Sequence, residues 1–254
     1  MKWKVNIRNE VKIAVALLIV FSLIAFTEER QGVIVCKNIV VELDNVHENH
    51  FLDEADVMNL LANSGQVVKG KNVRDLDLKR IERKILMDKH IEDAELFTDL
   101  KGNLIVNVEL RRPIARIVQE DAPDAYVAED GTVMSISEKF SSRVVLISGR
   151  FVKKFLEQED LTKSEEGKQV LDMLKFIQAD RFWKAQVAQL DMDGKGKITI
   201  YPQITGQLIE FGKPDNVEEK FRKLMIFYKE ILPQRGWTRY ERVNLEYDKQ
   251  VVAE

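Results

Sequence analysis

The sequence predicts an α+β chain: a single N-terminal transmembrane helix, a small β-α-α-β-β domain, then a β-rich domain with a sheet and flanking helices. Three observations carry that expectation. An uncharged apolar run covers residues 13–26. Between Lys37 and Ile117 the hydrophobic period passes from two to the helical value and back to two. Beyond residue 117, short apolar strand patterns alternate with two long amphipathic helices and glycine-bearing turns.

The apolar run reads Ile-Ala-Val-Ala-Leu-Leu-Ile-Val-Phe-Ser-Leu-Ile-Ala-Phe, with Lys2, Lys4, Arg8 and Lys12 before it and Glu28 and Glu29 after it. Extended from Val11 to Thr27 it reaches 17 residues. A hydrocarbon core asks for about 20 apolar residues, with about 17 as the lower limit, and the Lys12 ammonium can snorkel outward on its stem. The exit Phe26-Thr27-Glu28-Glu29-Arg30 offers no small-x-small cleavage site, and bulky Leu23 stands where a small residue is wanted before Ala25. An uncleaved anchor is therefore expected in preference to a removed signal peptide. The positive-inside rule makes residues 1–12 a cytoplasmic tail and 13–27 the span, with the bulk of the chain across the cytoplasmic membrane, in the periplasm or cell exterior.

A chain that is 45% hydrophobic and 32% charged has an ordinary globular composition, so folded domains are expected beyond the anchor. The net charge of -3 argues against nucleic acid as a partner, because phosphate binding needs a concentrated basic surface. Cys36 is the sole cysteine and can form no internal disulfide. A buried or spare thiol is favoured over a bridge to another chain.

In the first domain, 37–117, Ile39, Val41 and Leu43 alternate as in a short strand. Asp53 reads as a helix N-cap with Asp56 at the third helical position, and Leu52 and Val57 are placed as a hydrophobic staple. Val57, Leu60 and Leu61 share a face, and Asn63-Ser64-Gly65 ends the helix. A second helix is expected from about Asp75 to Met87, with Leu78, Ile81 and Ile85 as its stripe. Ile91–Phe97 reads as a strand, Lys101-Gly102-Asn103 as a turn, and Leu104, Val106, Val108 and Leu110 as one face of another strand. Two helices can cover only one face of so small a sheet, so the other face should be open.

Strand, helix, helix, strand, strand resembles a POTRA domain. Placed after a single anchor, that order resembles the FtsQ/DivIB family of bacterial cell-division proteins. The junction Glu109-Leu110-Arg111-Arg112-Pro113-Ile114-Ala115 is similar to the family's link between its two exterior domains, and Tyr126 to Val133, with the turn Asp130-Gly131, is similar to the family's hairpin. The resemblance covers nearly the whole chain.

The second domain, 118–254, shows an apolar strand at 144–147 and a helix at 165–178 with Val170, Leu171, Leu174 and Ile177 on one side. Strands at 187–191 and 197–201 flank the turn Asp193-Gly194-Lys195-Gly196, and another is expected at 207–211. Val217 to Ile231 forms a long helix that Leu232-Pro233 should stop. Arg242 to Val252 should close the chain as one strand. Residues 150–165, rich in Lys, Glu and Gln, have no single assignment and are read either as a short helix or as a mobile connection.

The C-terminal segment is similar to the family's Gly-Lys, Lys-x-x-x-Leu helix and Asp-Leu-Arg-Tyr strand through Gly212-Lys213, Lys220, Leu224 and Asn244-Leu245-Glu246-Tyr247. Asn244 and Glu246 depart from the family's Asp and Arg. The resemblance implies that Lys220, Leu224, Asn244, Leu245, Glu246 and Tyr247 mark a partner-binding strand edge. There a strand of FtsB, associated with FtsL, would complete the sheet, and other divisome proteins would bind elsewhere on the chain. An exposed edge suits such a role, since its unpaired backbone groups are satisfied by an added strand. Packing of Tyr247 inside the sheet is the structural alternative.

No catalytic, metal or cofactor site emerges. Gly65 to Asn72 imitates a phosphate loop, but a helix ends where a strand should, and Asn72 offers no hydroxyl for magnesium. Asp191 to Gly194 begins like a calcium loop, but its twelfth position is Pro202 in place of a bidentate glutamate. His47 and His50 near Glu48 and Asp53 lack further metal ligands. No small-molecule substrate or cofactor is expected. The sequence thus points to a non-enzymatic divisome scaffold at the septum, with an envelope transport or outer-membrane assembly factor as the alternative. The latter usually has several POTRA repeats and a barrel, for which the strand pattern is missing.

Overall fold

The computed structural model describes residues 9–30, 35–45, 49–120, 122–204 and 206–254. Helix α1 (Asn9–Arg30) comes first, with residues 11–22 exposed. Among the described residues no helix is long and apolar enough to cross a membrane. The uncharged run inside α1, Ile13 to Phe26, rises only about 21 Å at ~1.5 Å per residue, against a hydrocarbon core of roughly 30 Å. Lys2, Lys4 and Arg8, which set the expected orientation, lie outside the described residues.

Next come β1 (Asn38–Asp44), α2 (Glu54–Ala62), α3 (Leu78–Ile85), β2 (Ile91–Thr98) and β3 (Asn103–Leu110). Their strands form a sheet in the order β1-β3-β2, with β1 parallel to β3 and β2 antiparallel to it. A parallel pair needs a long crossover, which α2 and α3 provide. The expected capping box forms: Asp53 Oδ1 accepts from Asp56 N at 2.9 Å, and Asp56 Oδ2 accepts from Asp53 N at 3.0 Å. Helix α3 starts later than the sequence suggests, because Asp77 caps it by accepting from Arg80 N at 3.0 Å and Val73–Asp75 is a separate 3₁₀ turn. Val57, Ile81, Ile85, Leu104, Val106 and Val108 meet in the core under both helices, and Cys36 is buried with them. The opposite face of the sheet is uncovered, with Val40 and Phe97 exposed.

The remainder contributes β4 (Pro113–Ile117), β5 (Ala125–Ala128), β6 (Val133–Ser135), β7 (Val145–Gly149), α4 (Val152–Gln158), α5 (Glu165–Ala179), α6 (Arg181–Gln186), β8 (Val187–Met192), β9 (Ile198–Pro202), β10 (Leu208–Gly212), α7 (Val217–Ile226), α8 (Leu232–Arg235), β11 (Arg242–Asn244) and β12 (Val252–Ala253). Among the described residues these strands make a second sheet ordered β12-β11-β10-β9-β8-β7-β4-β5-β6. Phe176 of α5 stacks on Phe221 of α7 at 5.1 Å, and Phe221 in turn meets Phe211 of β10 at 5.3 Å, so both helices share the core with the sheet.

Three expectations are corrected here, and one open segment is assigned. Residues 113–117, assigned from sequence to the first domain, form β4 of the second sheet. Pro113 has no N–H to continue the first ladder, and the chain after Arg111 and Arg112 pairs with β5 and β7. The unassigned segment 150–165 holds α4, which buries Val152 and Phe155 and ends at Glu159 with φ of 59°. Pro233 does not stop the C-terminal helix. A π-helical turn, Phe227–Ile231, widens the ladder ahead of it, and Pro233 sits in the first turn of α8, where its missing donor costs little. Finally, 242–252 is not one strand but a hairpin of β11 and β12, reversed near Lys249 at φ of 56°.

The two sheets are joined by Phe51, whose ring lies 5.0 Å from Tyr126 and 5.3 Å from Phe140. Around this cluster Arg111 donates to the carbonyls of Lys89 and Ile91 and pairs with Asp130 at 2.8 Å. Lys139 pairs with Asp53 and Asp56, and its hydrogen bond holds the Asp53 carboxyl at about 2. His90 places Nδ1 2.9 Å from Asp88 Oδ1 and Nε2 3.0 Å from the Ser135 carbonyl of β6.

Candidate partner-binding edge

The second sheet ends in a short hairpin because β11 adds to β10 in parallel and β12 then folds back on β11. Charged side chains hold this register from the outside. Glu210 accepts from Arg242 Nη1 at 3.0 Å and from Asn244 Nδ2 at 2.7 Å. Asn244 Oδ1 in turn accepts from Glu246 N at 2.8 Å, which bends the chain out of β11. Outermost is β12, tied to the sheet by Glu254 N donating to the Arg242 carbonyl at 3.0 Å. An edge strand keeps one side of its backbone unpaired, so β12 rather than β11 presents the free groups.

The residues singled out by sequence divide into two sets. Leu224 and Leu245 are core side chains, 1% and 0% exposed. Lys220 is buried as well: its ammonium donates to the Lys213 carbonyl at 2.8 Å, pairs with Asp215 at 2.5 Å and lies 4.8 Å from the centre of the Phe211 ring. These contacts satisfy a buried cation and leave it no reach toward a partner. Asn244 is spent on Glu210 and Glu246. Glu246 pairs with Lys197 at 2.7 Å, an interaction that raises the Lys197 pKa. It also lies against Gly212, where a Cβ would stand 2.5 Å from Glu246 Cγ at a φ of +76°. Of the set, Glu246 and Tyr247 are exposed, Tyr247 at 51%. The Tyr247 carbonyl accepts from Lys223 Nζ at 2.8 Å, and Lys223 also holds the Leu245 carbonyl at 3.1 Å.

A cleft of about 330 Å³ opens beside Tyr247, lined by Lys213, Glu219, Lys223 and Asp248 among others. Its mixed charge and wide mouth suit a peptide side chain better than an enclosed small molecule. Sequence reading missed Val252, 37% exposed on β12. Its only signal is the short apolar trio Val251-Val252-Ala253, which the expectation of one long strand absorbed.

The other candidates are also placed. His50 packs edge-on against Phe140 at 5.5 Å, and His47 lies outside the described residues. Among the described residues no group of three or more His, Cys, Asp or Glu side chains could hold a metal ion. In the turn before β9, Asp193 Oδ1 accepts from Lys195 N at 2.7 Å and Lys197 N at 2.9 Å, and these bonds lower its pKa.

Comparison with known proteins divides the chain where the two sheets meet. The family described as FtsQ/DivIB, C-terminal related, matches residues 112–254, and a POTRA-like domain matches residues 34–109. None of the curated proteins matches the chain significantly.

Proposed function

Because the chain belongs to the FtsQ/DivIB C-terminal-related family, and so to the cell-division proteins, we propose that it is a non-enzymatic scaffold of the divisome, recruited to the septum. Its partners are membrane-anchored division proteins of the FtsB and FtsL kind. A strand of the partner lies along β12, and Tyr247 with the cleft beside it reads an alternate side chain. The observation that carries this reading is the edge strand β12 together with exposed Tyr247 in the loop that leads to it, on a domain whose other marked residues are buried or internally paired. Main-chain pairing supplies affinity that tolerates the departures at Asn244 and Glu246.

The proposal includes a single-pass anchor at 13–27, with residues 1–12 in the cytoplasm and two exterior domains. The basic flank and uncharged run support it, and interfacial accommodation of Lys12 and the following glutamates offsets the shortness of the apolar stretch. Confinement to one membrane raises the local concentration of both partners, so a modest edge contact suffices.

The test is co-purification of the full chain from dividing cells, beside Tyr247→Glu and a chain lacking 252–254. Capture of coiled-coil division proteins by the native chain, lost in both variants while they stay folded, is the expected result. Equal capture by all three would move the site off this edge. Capture of outer-membrane assembly partners instead would replace the scaffold reading.

A further inference from the structure

The open face of the first sheet is a second surface, and the register arranges it in rows. Val40, Ile105 and Phe97 stand side by side across β1, β3 and β2. Val40 is 39% and Phe97 48% exposed. The next row is Glu42, Asn107 and Glu95, and the one beyond it Asp44, Glu109 and Asp93. An apolar strip is therefore bordered on one side by carboxylates. Among the described residues, Glu42, Asp44, Asp93 and Glu95 form no ion pair.

The opposite side of the same domain carries the complement. Helix α3 exposes Lys79, Arg80, Arg83 and Lys84, and among the described residues none of these pairs with an acid. Immediately after it, Leu86 and Met87 are exposed too, Met87 at 73%. One domain thus presents an apolar strip edged with negative charge on its sheet and an apolar pair edged with positive charge on its helix.

We propose that this chain associates with a second copy of itself, head to tail, the end of α3 in one copy docking on the open sheet face of the next. A helix laid on that face repeats the packing the sheet already uses on its other side. Leu86 and the adaptable Met87 cover the strip of Val40, Ile105 and Phe97, while Arg83 and Lys84 meet Glu42 and Glu95. Face-to-face pairing about a two-fold axis would set carboxylates against carboxylates, so the contact is heterologous and leaves a free face at each end of the array. The inference rests on the first domain and is independent of the C-terminal edge.

Sedimentation of the full chain in mild non-ionic detergent, over a wide concentration series, tests it. Association that rises with concentration and weakens with salt is expected. Glu42→Lys with Glu95→Lys, and separately Arg83→Glu with Lys84→Glu, should each weaken it by at least about tenfold. Combining all four reversals in one chain should restore it, because the two faces are again opposite in sign. A monomeric native chain throughout the series, or association unmoved by either pair of reversals, or no restoration in the combined variant, overturns the proposal. So does binding of a synthetic basic peptide to the acidic face while the chain stays monomeric, since the occupant is then another protein. Thermal melts of the variants check their folding, and capture through the C-terminal edge, read in parallel, should stay at the native level.

Discussion

Leu245 and Tyr247 stand two residues apart and answer to different forces. Leu245 is fully buried in the core of the second domain, whereas Tyr247 sits half in water in the loop between β11 and β12. Leu245→Ala should cost about 2–5 kcal/mol in denaturant unfolding, as expected of a truncated core leucine. Tyr247→Glu should stay within about 0.5 kcal/mol of the native chain while abolishing partner capture. Sequence resemblance marked both residues equally, because a motif records which residues recur together and not which way each side chain faces. Lys220 makes the same point. Its buried ammonium, held by Asp215 and the Lys213 carbonyl, supports the sheet from within. A second residue-scale prediction concerns His90. Burial by itself lowers its pKa, but the hydrogen bonds to the Asp88 carboxylate and the Ser135 carbonyl outweigh burial and raise it above 6.5. Both ring nitrogens face acceptors, so the doubly protonated ring fits best, next to a field that also contains Arg111. A raised pKa means the stabilisation is complete below the unfolded value near 6.5 and is lost as pH rises through the folded value. The melting temperature of the native chain should therefore fall across that interval by more than that of His90→Gln, and equal slopes would remove His90 from the linkage.

At the scale of elements, backbone geometry explains where patterns were read correctly and where they failed. The helix cap at Asp53 and the end near Gly65 were legible because they depend on neighbours three residues apart. The hairpin of β11 and β12 was not, since its reversal at Asp248-Lys249 has no glycine, asparagine or proline and puts a lysine at the positive φ. Proline at 233 misled for a related reason: its effect depends on whether the preceding turn can widen, and here it does. Two glycines separate space from conformation. Gly65 and Gly149 both have positive φ, but a Cβ at Gly65 meets nothing within 4 Å, while one at Gly149 runs into the Met192 carbonyl oxygen of β8. Gly65→Ala should cost about 1 kcal/mol through φ alone. Gly149→Ala should cost about 3 kcal/mol or more, because β7 and β8 must also separate. Urea titration of the two variants checks the order.

Across the whole molecule, Phe51 holds the two domains together with Tyr126, Phe140 and the polar contacts of Arg111, His90 and Lys139. Phe51→Ala should destabilise this junction by about 3–5 kcal/mol and split unfolding into two calorimetric transitions, one for each sheet. A single transition of undiminished cooperativity would mean that the surrounding ion pairs suffice. Nothing in the pattern of residues 49–53 marked Phe51 as the junction, because its partners in the second domain, Tyr126 and Phe140, lie more than seventy residues away. By itself the sequence determined the α+β class, the POTRA-like order of the first domain, the apolar run near the N-terminus and the family of the C-terminal domain. Those features rest on local periodicity, capping chemistry and residue identity, which the chain carries before it folds. Only the tertiary structure decided that 113–117 belongs to the second sheet, that β12 is the free edge, that Lys220 and Leu224 face inward, and that acids from β1, β2 and β3 share one open surface. Strand order, register and burial are set by which distant segments pair, and pairing across a sheet leaves no local signature in the sequence of either strand.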